Sequence, residues 1–199
     1  MSEFGFDENT QEGTEFRFIL VRGKEDAIRE GIFLEDLKLD TWKTGNSYLE
    51  IIVKNKQDQT ANKRYNKPII DSVIKDEKAL KEANAKFSKI CKNITTKILG
   101  ENVVIEGNTF EEFVTNMINK IKSNPKWNKT ELRTVFVHNK DGFTTLRSYS
   151  PIFELASVPK DKSHLIISDT YDKYVEKQNP SNESTGFTTN PIQNKEDIF

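Results

Sequence analysis

Two pairs of alternating runs, each folded about a short turn, constrain this chain more than any other feature. In residues 31–42 the positions Leu37, Leu39 and Thr41 recur at every second residue. In residues 48–54, Leu49, Ile51 and Val53 fall on one face, with Tyr48, Glu50, Ile52 and Lys54 on the other. Lys43-Thr44-Gly45-Asn46 lies between the two runs, so together they predict a β-hairpin. A second hairpin is predicted where residues 131–138 and 143–149 flank Asn139-Lys140-Asp141-Gly142, because Asp-Gly readily adopts the positive φ of a tight hairpin turn.

The remaining segments fill in around these hairpins. Residues 16–21 are a short β-prone run, and the polar stretch 55–67 reads as a loop or edge segment, with Pro68 stopping any central strand. Leu80, Ala83, Phe87, Ile90, Cys91, Ile94 and Ile98 recur at three- and four-residue steps and predict a helix over 77–99, capped by Asp76 and ended by Gly100. Thr109 and Glu112 form a capping box for a second helix whose buried face is Phe110, Phe113, Val114, Met117 and Ile121. A short run at 151–155 packs on the barrel end, 164–167 adds a strand, and 170–175 reads as a short helix. The class is α+β, mainly β. The order of elements suits an OB-like five-stranded barrel with a helical insertion (residues 77–122), and equally a generic α+β sandwich.

Charge divides the chain further. The net charge of -1 conceals acidic ends around a middle, residues 17–177, that carries about six more basic than acidic groups. Residues 1–15 read as a disordered acidic lead-in, 16–177 as one folded domain, and 178–199 as a flexible tail. A single cysteine, Cys91, excludes an intramolecular disulfide and fits a reducing, cytoplasmic setting, where it serves as a buried structural thiol. The N-terminus lacks the pattern of a signal peptide, and no apolar run is long enough to cross a bilayer. One cysteine with His138 and His164 does not make a zinc site, and no phosphate-binding loop, nucleophile elbow or HExxH pattern occurs. The expectation is a protein that is not an enzyme and uses no metal or cofactor.

Basic and aromatic residues interleave repeatedly, as a single-strand-binding groove requires: cations meet phosphates and rings stack on bases. Trp42 and Tyr48 flank the first turn. Lys54, Lys56, Lys63, Arg64 and Tyr65 crowd the next segment, and Arg133, Lys140, Arg147 and Tyr149 lie on the second hairpin. Phe136 and Phe143 are read as core.

With these residues in view, the chain resembles the single-stranded DNA-binding proteins of bacteriophages. Residues 31–65, with their Tyr48-Leu49-Glu50-Ile51 and Asn62-Lys63-Arg64-Tyr65 segments, carry the likeness. So do the final hairpin leading to Tyr149-Ser150-Pro151-Ile152-Phe153, and the tip Glu196-Asp197-Ile198-Phe199 after a polar linker. The tip departs from the family in having two acids, with Lys195 just before them. The resemblance implies an OB-like barrel and sequence-tolerant coating of single-stranded DNA in phage replication or recombination. It also implies recruitment of replication proteins such as a polymerase, helicase or primase through Glu196, Asp197, Ile198 and Phe199. Homo-oligomers are compatible with it; a membrane is not implied. The competing readings are a phage structural or assembly protein without DNA affinity, and a metal-dependent nuclease or recombination enzyme.

Overall fold

The computed structural model describes residues 18–174. Eight regular elements follow in order: β1 (Ile28–Thr41), β2 (Ser47–Lys54), β3 (Thr60–Asn66), α1 (Glu77–Leu99), α2 (Phe110–Lys122), β4 (Leu132–His138), β5 (Thr144–Leu146) and β6 (Phe153–Leu155). The strands form one antiparallel six-stranded sheet in the order β3-β2-β1-β4-β5, with β6 sharing an edge of β4 with β5. Thus the α+β, mainly β class holds.

A closed five-stranded barrel does not form. No ladder joins the end strands β3 and β5, because β5 is three residues long and the chain turns away after Leu146. The two ends are nevertheless bridged. Thr145 Oγ1 donates to the Asn62 carbonyl at 2.6 Å, and the Tyr65 hydroxyl donates to the Arg147 carbonyl at 2.6 Å.

The first hairpin forms as its alternation predicts, but β1 serves two partners. Residues 33–41 pair with β2 and residues 28–32 with β4, and the register shifts at Leu34/Asp36 and at Arg29/Ile32. Such irregularities bend a strand and increase its twist. Gly31, at φ 69, supplies the backbone conformation at the second of them.

Both helices begin where their caps predict, and α1 ends at Gly100 as expected. Asp76 accepts from the Ala79 N–H at 2.8 Å, and the Gly100 N–H closes on Thr96. Phe87, Ile90, Cys91, Ile94 and Ile98 are buried along α1. Thr109 Oγ1 accepts from the Glu112 N–H, while Glu112 reaches the Asn108 N–H, one residue earlier than a capping box requires. Phe110 and Phe113 pack on Phe87, with ring centroids 4.9 and 6.3 Å away. The helices and the inner sheet face share one core built on Leu34, Leu37, Leu49, Ile51, Val53, Ile94, Met117, Ile121, Phe136 and Phe153. Burial pushes the Cys91 thiol up, as a structural thiol requires. No helix among the described residues is long and apolar enough to cross a membrane.

The polar stretch after Asn55, read as a loop or edge segment, is an edge strand, β3, templated by the register of β2. Three segments differ from the sequence reading. Residues 18–21 make a single bridge, Phe18 to Thr60, because β3 begins only there. Residues 164–167 form no strand and are fixed through Glu154, which accepts from the His164 N–H at 2.9 Å and from Ser163 Oγ at 2.7 Å. Residues 169–171 are a turn, not a helix, and the Ser168 N–H donates to Asp172 beside it.

Buried Tyr65 and partly buried Tyr174 predict an alkaline limit to stability. Burial raises Tyr174 to about 12 and Tyr65 well above its ordinary value, whereas unfolded tyrosine ionises near 10. The folded state therefore keeps protons that the unfolded chain releases, so stability is full below about pH 10 and falls as pH rises through the folded values. Thermal midpoints are expected to drop between about pH 10 and pH 12, and Tyr174→Phe to blunt the drop. A flat profile to about pH 12 would contradict this burial.

Candidate nucleic-acid interface

Alternation along the first three strands brings a defined set of side chains to the outer sheet face. Asp40, Tyr48 and Asn66 are aligned across it, as are Lys38, Glu50 and Arg64, and then Asp36, Ile52 and Asn62. The β1–β2 turn, closed by Trp42 N–H to Asn46 O at 2.9 Å, folds Trp42 back over this face. The Trp42 Nε1–H donates to Asn66 Oδ1 at 2.9 Å, and its ring lies 4.6 Å from that of Tyr48.

Arg64 completes the cluster. Its guanidinium carbon sits 5.0 Å from the Trp42 ring centre and 5.3 Å from that of Tyr48, a cation–π arrangement. Glu50 fixes it there by accepting from Nε at 2.8 Å, and Asn62 donates to the same carboxylate oxygen at 2.8 Å. The Tyr48 hydroxyl donates to Asp40, whose carboxyl is held below its ordinary value by the Thr41 N–H and then by that hydroxyl. Trp42 keeps 38% of its surface and the Arg64 side chain 42%, so both are oriented yet accessible. A planar ring backed by a fixed guanidinium is chemically suited to stacking a base while meeting a phosphate.

A second aromatic pair was not anticipated. Phe143 is 70% exposed and Phe18 67% exposed, and with Leu20, Ile52 and Asn62 they line a groove of about 800 Å³. Phe143 reads as core in the sequence, but it is the last residue of the β4–β5 turn. Its N–H donates to Asn139 Oδ1, Gly142 has φ 79, and β5 starts one residue later. The signal was the length of the Asn139–Gly142 turn. Ile52 on β2 belongs both to this groove and to the outer face that bears Tyr48, about 13 Å away at strand spacing.

Several expected contacts lie elsewhere. Arg133 is 3% exposed, with Glu30 at 2.7 Å, Glu154 at 2.8 Å and the Val158 carbonyl at 2.9 Å. Arg147 is 1% exposed and pairs with Asp172 at 2.9 Å. Tyr65 is buried against Arg147. These three are corrected to structural residues, because burial denies them a strand; Tyr48, 5% exposed, is likewise covered and braces Trp42 from beneath without offering a free ring face. Tyr149 is half-buried and donates to Asp172, and Lys54 and Lys56 are paired with Glu35 and Glu131. Lys63 projects from the inner-face side of β3, where burial lowers its pKa, and Lys140 is exposed in the β4–β5 turn. Glu196, Asp197, Ile198 and Phe199 lie outside the described residues.

Comparison of the chain with protein-family models, with characterised proteins and with solved structures gives no match. No group of His, Cys, Asp or Glu among the described residues is arranged to hold a metal ion.

Proposed function

We propose that the protein binds single-stranded DNA, without strict sequence preference, across the outer face of β1, β2 and β3. The stack of Trp42 on Tyr48 with Arg64 held over both rings is the observation that carries this reading. An accessible tryptophan braced by an arginine is poorly explained by packing alone, and it has the form of a sequence-tolerant base platform. The strand order β3-β2-β1-β4-β5, with side-chain hydrogen bonds across the β3–β5 gap, supports an OB-like, partly open barrel. In such barrels the second and third strands and the turns β1–β2 and β4–β5 contact oligonucleotides. Here those turns carry Trp42 and Phe143. In this reading the Glu196–Phe199 tip recruits replication or recombination proteins, and coating of the strand involves no turnover.

Fluorescence anisotropy with labelled oligo-dT, against a duplex of equal length, tests the proposal. Tight binding to the single strand and little to the duplex is expected. Trp42→Ala should weaken single-strand binding by about 5- to 150-fold, the range of one lost base stack, with a smaller loss for Phe143→Ala. Equal binding of duplex and single strand, or Trp42→Ala without effect, would remove the platform from the account.

A further inference from the structure

The outer sheet face is almost neutral, which raises the question of where the positive excess of the folded middle resides. On the face itself Lys38 binds Asp36, Arg64 binds Glu50 and Lys54 binds Glu35, and Lys122 of α2 reaches the same Asp36. Lys56 and Lys67, just outside the strands, bind Glu131 and Glu111. Paired cations of this kind contribute little to the field a distant phosphate experiences.

Helix α1 is different. Lys78, Lys81, Lys86, Lys89 and Lys92 are exposed, and none makes an ion pair with a described residue. At 3.6 residues per turn, Lys78, Lys81, Lys89 and Lys92 fall within about 80° of the helix circumference, opposite the buried stripe, and span about 21 Å of its axis. Glu77 and Glu82 are the acids of α1. A run of lysines is often only a solvated face, but here four unpaired lysines align in one row along a single helix, whereas other unpaired cations such as Lys43, Lys126, Lys140 and Lys162 sit in separate turns and loops. The apolar face of α1 is committed to the core through Phe87, Ile90, Ile94 and Ile98, so the helix has no face to insert into lipid. The row begins twelve residues beyond the end of β3, whose Asn66 holds Trp42.

From this we infer that α1 is a second nucleic-acid contact: a row of ammonium groups that meets the phosphates of a strand longer than the sheet face can hold, without reading bases. The inference rests on the single-strand reading above and assigns the strand's extension to Lys78, Lys81, Lys89 and Lys92. The sheet face supplies stacking, and α1 supplies counterion release.

The test compares wild type with a variant in which all four lysines become glutamine. One probe is an oligo-dT of about 10 nucleotides, within the site size of one such domain, and the other is about 30 nucleotides long. Four lost phosphate contacts correspond to a salt slope smaller by about 3. On the long probe, wild-type affinity should therefore fall about 50-fold more than the variant's between about 50 and 200 mM salt. On the short probe the two proteins should respond alike. The paired variants Lys78→Gln/Lys81→Gln and Lys89→Gln/Lys92→Gln should each show about a 7-fold difference on the long probe, which keeps the test decisive should the fourfold variant fold poorly.

Identical salt dependence on the long probe overturns the inference, and loss of binding to phosphatidylserine-containing vesicles by the same variant would assign the row to a membrane surface instead. An equal effect on both probes also overturns it, since the lysines would then act as a general field. If wild type binds neither probe, the single-strand reading itself has failed. If Trp42→Ala is silent while the lysine variant is not, the α1 contact stands and the sheet-face platform falls.

Discussion

Arg133→Met is expected to lower the unfolding free energy by about 3–5 kcal/mol, the cost of removing one member of a buried ion cluster. Arg133 bridges Glu30 and Glu154 and donates to the Val158 carbonyl, tying β4 to β1, to β6 and to the chain beyond it. Burial alone would raise the Glu154 carboxyl, but the His164 N–H, the Ser163 hydroxyl and Arg133 together hold it below its ordinary value. Without Arg133, a nearly buried carboxylate loses its cation. The thermal midpoint should fall by about 6–20 °C. Adding Glu154→Gln should recover part of that loss, because it removes the stranded charge. At temperatures where the single variant is still folded, its oligo-dT affinity should match wild type. A variant of normal stability with weakened DNA binding would return Arg133 to the interface.

Asp172→Asn is the second large effect, again about 3–5 kcal/mol. Asp172 Oδ2 receives Arg147, the Tyr149 hydroxyl and the Ser168 N–H, while both members of the ion pair are 1% exposed. Arg147 Nε and Asp172 Oδ1 have no hydrogen-bond partner, so the pair carries an uncompensated desolvation cost. The double variant Arg147→Met/Asp172→Leu should therefore be much closer to wild type than either single change, as measured by urea denaturation. The pair also fastens the irregular segment that runs past β4, where the His138 N–H donates to the Lys173 carbonyl and the Tyr174 hydroxyl to the Phe136 carbonyl. Asp172→Asn should expose that segment to limited proteolysis before the rest of the domain unfolds. Unchanged stability and unchanged cleavage would show that the segment is fastened elsewhere.

These two arginines also mark where sequence reading stops. Alternation put Arg133 off the face of Leu132, Thr134 and Phe136, and a strand with one covered face would have left it in water. Every residue of β4 is buried, because irregular chain beyond β6 covers its second face, and no local pattern announces such a cover. Elements whose signals are local were legible: the Asp76 and Thr109 caps, the apolar stripe of α1, and both hairpin turns. β3 was legible only as a loop or edge segment, since Ala61 and Tyr65 are its buried positions and the rest is polar. Its strand state comes from β2. The same dependence on neighbours split the candidate site. Trp42 was visible as an aromatic at the first turn and Arg64 as a cation in the next polar segment, but only the register of β2 with β3 brings the arginine over the ring. Tyr65, one residue further, faces inward for the same reason.

The most direct test of the central claim is the fluorescence of Trp42 itself. Trp127 is the other tryptophan and packs partly buried against the core, so a Trp127→Phe background leaves Trp42 as the reporter. Titration with oligo-dT should quench that emission to saturation, with a midpoint that rises with salt, while duplex of equal length leaves it unchanged. Emission that ignores oligo-dT at low salt, while anisotropy reports binding, would contradict a strand stacked on Trp42 and move the interface off this sheet face.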